Sequence, residues 1–365
     1  MAIQDIVVDW YIKNIIAPNF ADYSNPGFII TKKESKHGHV FQRDVCLPEE
    51  LIEKFETRVV EKFGEDGKKF LYKAGKNFGW NFGKALCIPQ INNTKEKEFL
   101  TMVDFIAKFV GSTWAEKCTV KKIDAKKSYF EIVFENYIVC SKNGYGYLLN
   151  SGGLAGLWGF AVNNFAVEAV QEECQGRKDK LCKTICAPPE FFKGNPKDFF
   201  QCTEKLELDS ATHEYLALNE IKPTNFSKTS LKSLITNEVI DYSKGKFLFK
   251  GKRFLPLAID FVFILESSLK EINNGSEILF SASFDEGKEI AQNEKNISTQ
   301  YISDFLSACG WGDVLVTNGL KGLAVNYYPW HSLIDNSQKE IFLGMLSGML
   351  SVLTKKNSYS FSKIC

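Results

Sequence analysis

The sequence has almost no charge imbalance: 45 lysines and arginines face 44 aspartates and glutamates. Such a balance gives no long-range attraction to nucleic acid or to an anionic membrane, so neither is expected as a partner. Long hydrophobic runs are also lacking. The apolar stretch from Leu255 to Leu265 contains Asp260 and falls well short of the roughly 20 residues that span a bilayer. Met1 to Pro18 mixes Asp5, Asp9 and Trp10 with short apolar pieces, without the basic start and unbroken apolar core of a secretory signal. The expectation is a cytoplasmic chain with no membrane segment.

Histidine is scarce. Only four are present, and His213 and His331 stand alone, with no recognisable nucleophilic triad around them. His37 and His39 flank Gly38 and would share one strand face; with no third ligand nearby, a solvated hairpin edge is the plainer reading than a metal site. No G-x-G-x-x-G follows a strand and no phosphate-binding loop occurs, so a bound nicotinamide has no visible support. No catalytic residue is assigned.

What the sequence does contain is apolar mass: 44% hydrophobic residues, with 30 phenylalanines, 13 tyrosines and 6 tryptophans. These suit an ordered core and, in part, an aromatic-lined pocket. Ten cysteines without a secretory signal point to reduced thiols rather than a disulfide framework. At 365 residues the chain exceeds the size of one core, so two units are expected.

Periodicity orders the elements. Helices are expected near Leu47 to Phe63, Gly67 to Phe82 and Lys95 to Phe109, the last ended by Gly111. Strands follow at Lys117 to Ile123 and Ser128 to Ile138. A helix-like stretch then runs from Leu148 to Glu173, with a short strand after Cys182. The same order recurs as helices at Leu255 to Ile272, Glu277 to Gln292 and Ser298 to Ala308. Strands at Asp313 to Thr317 and Leu323 to Tyr328, a helix at Lys339 to Leu353 and a strand at Ser358 to Ile364 complete it. Ala74-Gly75-Lys76 falls where Glu286-Gly287-Lys288 falls, and Asp104-Phe105 where Asp304-Phe305 falls. Internal duplication is the reading. A linker rich in breakers lies in Ala187 to Gly245, with Leu231 to Ile240 helical. The expected fold class is α+β, two similar units of helices packed on an antiparallel sheet, with domains at 1–200 and 201–365.

Three stretches carry a resemblance. Leu71-Tyr72-Lys73-Ala74-Gly75-Lys76, the glycine-spaced Gly152-Gly153-Leu154-Ala155-Gly156-Leu157, and Cys174 to Cys182 with Gly176 shortly after the first cysteine resemble the 4-vinyl-reductase domain family. The resemblance covers most of Val40 to Cys186 and, more faintly, Gly251 to Cys365. It implies a fold similar to a vesicle-tethering (TRAPP) component and the binding of a small hydrophobic or aromatic molecule. In the sensor relatives zinc is held by an upstream cysteine, a glutamate three residues before the first motif cysteine, and both motif cysteines. Cys174 and Cys182 match. Gln171 stands at the glutamate position, followed by Glu172 and Glu173, and the upstream position falls on Tyr147, Leu148 or Leu149. The candidate metal set is therefore Cys174, Cys182, Cys186 and Cys140, with zinc as the metal if one is bound; the alternative is free thiols. The second half lacks the pair and is expected to be metal-free.

The pocket in that family lies between helices and sheet, which selects Phe78, Trp80, Phe82, Phe105, Phe109, Trp114, Tyr129, Phe134 and Trp158 as candidate lining. Each is equally a core residue by type. The leading expectation is a non-catalytic small-molecule binding or sensor protein, with the second unit a structural partner or a homodimerising surface. The alternatives are an enzyme or accessory subunit in tetrapyrrole or aromatic metabolism using the motif cysteines, and a pure interaction scaffold.

Overall fold

A computed structural model of the chain describes residues 8, 10–16, 21–35, 38–86, 88–143, 148–194, 197–208, 226–243, 246–317, 322–326, 328 and 339–356. Strands β1 (Ala21–Asp22), β2 (Ile29–Ser35) and β3 (Gly38–Pro48) lead into helix α1 (Glu49–Ala85) and then α2 (Glu96–Trp114). Next come the hairpin β4 (Lys117–Asp124) and β5 (Tyr129–Glu135), the single turn α3 (Cys140–Asn143), α4 (Leu148–Ala161), β6 (Glu168–Glu173) and β7 (Cys182–Ala187). Further on lie α5 (Leu231–Thr236), β8 (Asp241–Ser243), β9 (Lys246–Phe249), β10 (Lys252–Ala258) and α6 (Ile259–Ser268). Then α7 (Gly275–Gln292), α8 (Thr299–Ala308), β11 (Asp313–Val316), β12 (Leu323–Asn326) and α9 (Glu340–Thr354) follow.

Every described strand pairing is antiparallel, and helices pack on the sheets, so the fold is α+β. The chain divides into two compact units. Unit 1 comprises Met1–Asn19, Glu56–Ser210 and Lys244–Lys246; unit 2 comprises Phe20–Phe55, Ala211–Ser243 and Phe247–Cys365. This is not a single cut between 200 and 201. The reason lies in strand pairing: β3 pairs with β10, Leu47 opposite Leu255 and Cys46 opposite Pro256, which draws an early segment into the later unit.

Unit 1 carries a sheet of order β4-β5-β7-β6; unit 2 carries one of order β1-β2-β3-β10-β9-β8 and the hairpin β11-β12. Several boundaries differ from the sequence reading for local reasons. The division expected between helices at 47–63 and 67–82 is kept inside α1, which is two helices meeting at a kink at Gly64, whose φ of 56° and ψ of −126° only glycine adopts readily. Gly111 does not end α2, which continues to Trp114. A Cβ at Gly111 would come within 2.4 Å of the Cys118 Cβ, so this glycine permits close packing on β4. The stretch 148–173 is not one helix: α4 stops at Ala161, Asn163 turns into the left-handed region (φ 54°), and β-branched Val170 lies in strand β6. Residues 255–258, expected as helix, are the end of β10. The strand expected at 358–364 lies outside the described residues.

The same helix crossing occurs in each unit. In unit 1, Cβ atoms at Gly75 and Gly79 would stand 1.9 Å from the Leu149 and Gly153 carbonyls, and at Gly152 and Gly156 2.0 Å from those of Tyr72 and Lys76. In unit 2, Cβ atoms at Gly287 and Gly348 would stand 2.0 Å from the Met345 and Phe284 carbonyls. Both glycine helices also start the same way. The buried Glu56 carboxylate accepts the Leu149 N–H at 2.8 Å, and the buried Glu266 carboxylate accepts the Ile341 N–H at 3.1 Å. Each satisfies an orphan donor in the first turn. Among the described residues, no helix is long and apolar enough to cross a membrane.

Candidate functional site

Unit 1 contains an apolar cavity of about 50 Å³ between α2, α4 and β5. Met102, Val103 and Ile106 reach it from α2, Leu157 and Trp158 from α4, and Phe130 from β5. The helical spacing of the α2 residues and the alternation of Phe130 and Ile132 place these side chains inward. Trp158 is held from two directions. Its ring stacks on Phe130 at 4.9 Å between centroids, and its Nε1 donates to the Ser128 carbonyl at 2.9 Å. The indole thus turns a hydrocarbon face to the cavity while its polar atom is satisfied elsewhere.

Of the nine aromatic residues selected from sequence, Trp158 lines this cavity. Phe78 and Phe82 pack against each other on α1 at 5.3 Å, and Trp80 meets Phe160 and Phe165 edge-on. Phe105 is 40% exposed, and Phe109 and Trp114 are half-buried. Tyr129 donates its hydroxyl to Glu131 and packs on Phe191; Phe134 is fully buried against Tyr137 at 4.0 Å. The cavity is lined chiefly by aliphatic residues. Their signal was the apolar face of α2, which reads as core as readily as pocket.

A second cluster lies at one end of the same sheet. The sulfur atoms of Cys140, Cys174 and Cys182 all lie within 4.8 Å of one another, and all three residues are buried. Cys140 opens the turn α3, behind Val139 in the left-handed region (φ 63°), an uncommon conformation for a β-branched residue. Cys174 follows β6 and Cys182 begins β7. The turn between them is fixed by Asp179, whose carboxylate accepts the Cys174 N–H at 2.8 Å, and by Arg177, which donates to the Gln171 carbonyl at 2.6 Å. The Gln171 side-chain amide sits 3.1 Å from the Cys140 Sγ. Hydrogen bonds from the Cys140 and Cys182 thiols hold the Cys174 thiol well below its ordinary range.

Cys186 is not in this cluster. Four residues beyond Cys182 on an extended strand, it is displaced by about 13 Å, and burial, then the neighbouring Glu168 carboxylate, pushes its thiol up. Cys140 is brought to the pair by the return of the chain through α3, α4 and β6. Of the histidines, His37, His213 and His331 lie outside the described residues, as does the side chain of His39.

The donor set suits a soft tetrahedral cation. Three buried thiols at these separations, with one side-chain amide beside them, match what zinc accepts in a closed site. Turned by 180°, the Gln171 amide would present its oxygen where its nitrogen stands, as the neutral fourth donor.

A buried polar network escaped sequence reasoning. Lys76 and Glu168 have side chains 0% and 1% exposed and meet at 2.7 Å. The Tyr72 hydroxyl donates to Glu168 at 2.7 Å and accepts the Ala169 N–H at 2.8 Å. Tyr72 and Lys76 stand four residues apart on one helix face, a legible pair; Glu168 gave no local sign. Burial pushes the Glu168 carboxyl up and the Lys76 ammonium down, each opposed by the other's charge.

An α+β unit with an apolar cavity and a thiol cluster is the class these observations define. No protein-family model matches the chain, and a search of curated proteins returns no match either. Among solved structures, the chain is similar to the crystal structure of the phenol-responsive sensory domain of the transcription activator PoxR with phenol. The identity is 12%, the match covers 53% of this chain and 94% of that chain, and the TM-score is 0.37.

Proposed function

We propose that the chain is a non-catalytic binding protein whose unit 1 encloses a small apolar molecule, with zinc clamping the sheet end beside it. The observation that carries this reading is the cavity's lining: aliphatic and aromatic carbon, with the indole N–H already engaged. A ligand without a hydrogen-bonding requirement, such as an aromatic hydrocarbon, suits such a wall. At about 50 Å³ the space is roughly a third of the 150 Å³ that admits benzene in an engineered cavity. Entry therefore requires side chains to part, and Met102, unbranched and polarisable, is the one built to yield. The common helix crossing and glutamate cap support reading the halves as copies, of which the first keeps the thiols.

Titration of the full chain with naphthalene, followed by tryptophan fluorescence and calorimetry, tests this. Saturable binding is expected, with at least a tenfold loss in Ala107→Phe, which fills the cavity from α2. Binding undiminished in that variant, or absent from the parent protein, would overturn the pocket reading.

Zinc would be held by Cys140, Cys174 and Cys182, with Gln171 completing the shell, and would tie α3 to β6 and β7. Elemental analysis of the purified chain is expected to give one zinc per molecule, lost in Cys174→Ser and retained in Cys186→Ser. Equal metal content in the two variants would remove the proposed ligand set.

A further inference from the structure

After β7 the chain passes over α1 as an extended strap, Phe200 to Leu208, that joins no sheet. It is gripped by its main chain. Asn77 accepts the Leu206 N–H at 2.7 Å and donates to the Glu204 carbonyl at 3.4 Å. One helical turn on, Asn81 accepts the Leu208 N–H and donates to the Leu206 carbonyl, both at 2.8 Å. The Cys202 N–H donates to Glu168 at 2.8 Å, and Lys76 and Lys84 donate to the carbonyls of Cys202 and Leu208 at 2.9 and 3.1 Å. Every second residue of the strap is therefore held.

The register has a simple cause. Four helical residues advance about 6.0 Å, and two extended residues about 6.6 Å. A row of side chains at i and i+4 thus keeps pace with alternate peptide units. An asparagine carries an acceptor oxygen and a donor NH2, which meet the N–H of one strap residue and the C=O of the residue two before it. Such a ladder reads backbone and is indifferent to most side chains.

Selectivity enters at three places. Tyr72 packs on Phe200 at 5.6 Å, Lys73 pairs with Glu204, and the Lys205 ammonium lies 4.0 Å above the Trp80 ring. Beneath the strap lie amides and a lysine already paired with Glu168, groups that water can satisfy when the strap lifts. In the register that aligns Gly75 with Gly287, Asn77 falls on Glu289, which Lys54 and Lys252 engage, so among the described residues of unit 2 this rung has no counterpart.

The geometry points to a peptide-docking groove on α1, filled in cis by the strap, that accepts an extended segment of another polypeptide. That partner carries an aromatic residue, then an acidic residue opposite Lys73 and a basic one over Trp80. The groove is separate from the apolar cavity and from the thiol cluster.

The test uses the full chain with Leu206→Pro and Leu208→Pro, which removes the two N–H groups that Asn77 and Asn81 accept. The probe is a fluorescent synthetic peptide of residues 199–208 with serine at 202. Saturable binding by this variant is expected at least tenfold tighter than by the parent protein, and at least tenfold weaker once Asn81→Ala is added. A second arm uses the unmodified chain and reads alkylation of Cys202, which the strap buries. Several millimolar unlabelled peptide, comparable to the effective concentration of a tethered segment, is expected to speed it at least tenfold, leaving Cys46 and Cys309 unchanged. A folded double-proline variant that ignores the peptide, or binding that survives Asn81→Ala, overturns the proposal. Should the double-proline variant fail to fold, an unaltered Cys202 rate in the second arm overturns it.

Discussion

Gly152→Ala is expected to destabilise the protein by about 3 kcal/mol, whereas Gly153→Ala, one residue further on, is expected to be neutral or stabilising by up to about 1 kcal/mol. The Cβ added at 152 would meet the Tyr72 carbonyl oxygen at 2.0 Å and the Lys76 nitrogen at 2.7 Å. Both are backbone atoms of α1, so no side chain can rotate away and the helices must separate. At 153 the nearest atom is the Gly75 oxygen at 3.8 Å, an ordinary contact. There the substitution removes only the conformational cost of a mid-helix glycine. Urea unfolding of the two variants side by side measures the difference. Equal stabilities would mean that α4 does not cross α1 at this distance. Gly348→Ala, 2.0 Å from the Phe284 carbonyl, puts the same question to unit 2.

Lys76→Met should cost about 3–5 kcal/mol, because it strands a buried carboxylate whose counter-ion is gone. Tyr72 and the Cys202 N–H would still donate to Glu168, at 2.7 and 2.8 Å, so the carboxylate keeps partners but not its charge balance. The pH dependence follows from the sign of the shift. Burial raises the Glu168 carboxyl in the folded state above its ordinary range, and losing Lys76 removes the largest effect opposing that. A group whose folded-state affinity for protons is raised favours the fold at low pH and loses that contribution as pH rises. The deficit of Lys76→Met relative to the parent protein should therefore be smaller at pH 5 than at pH 8, as read by thermal unfolding at each pH. A deficit independent of pH would indicate that the lost packing of the lysine stem, rather than the stranded charge, carries the cost.

The order of elements was legible because periodicity is a local property. The α2 face at Phe99, Met102, Val103 and Ile106, and the alternation along β5, announce their partners' direction without naming the partners. Breaks written in single residues were harder to place. Gly64 and Asn163 end regular structure by adopting left-handed conformations, while Gly111, identical in letter to a helix stop, serves close packing instead. The thiol cluster was half legible: the Cys174 and Cys182 spacing announced itself, but Cys140 joins them across α3, α4 and β6, a closure no spacing rule encodes. Of the nine aromatic residues, Trp158 lines the cavity, and the placement of the others was hard to read for a related reason. Ring type says that a side chain will be buried, not whether it will face a cavity or another ring, and Phe78, Phe82 and Phe134 found rings.

By itself the sequence determined which faces had to be covered: the apolar stripes of the helices, the alternating strands, and the glycines at 75, 152, 287 and 348 that let backbones touch. Tertiary structure alone decided which surfaces covered them. It joined β3 to β10, set Glu168 against Lys76, and laid the strap along Asn77 and Asn81. Burial of a stripe is a demand that residue type and spacing express locally, whereas the choice of partner is made by distances between segments far apart in the chain.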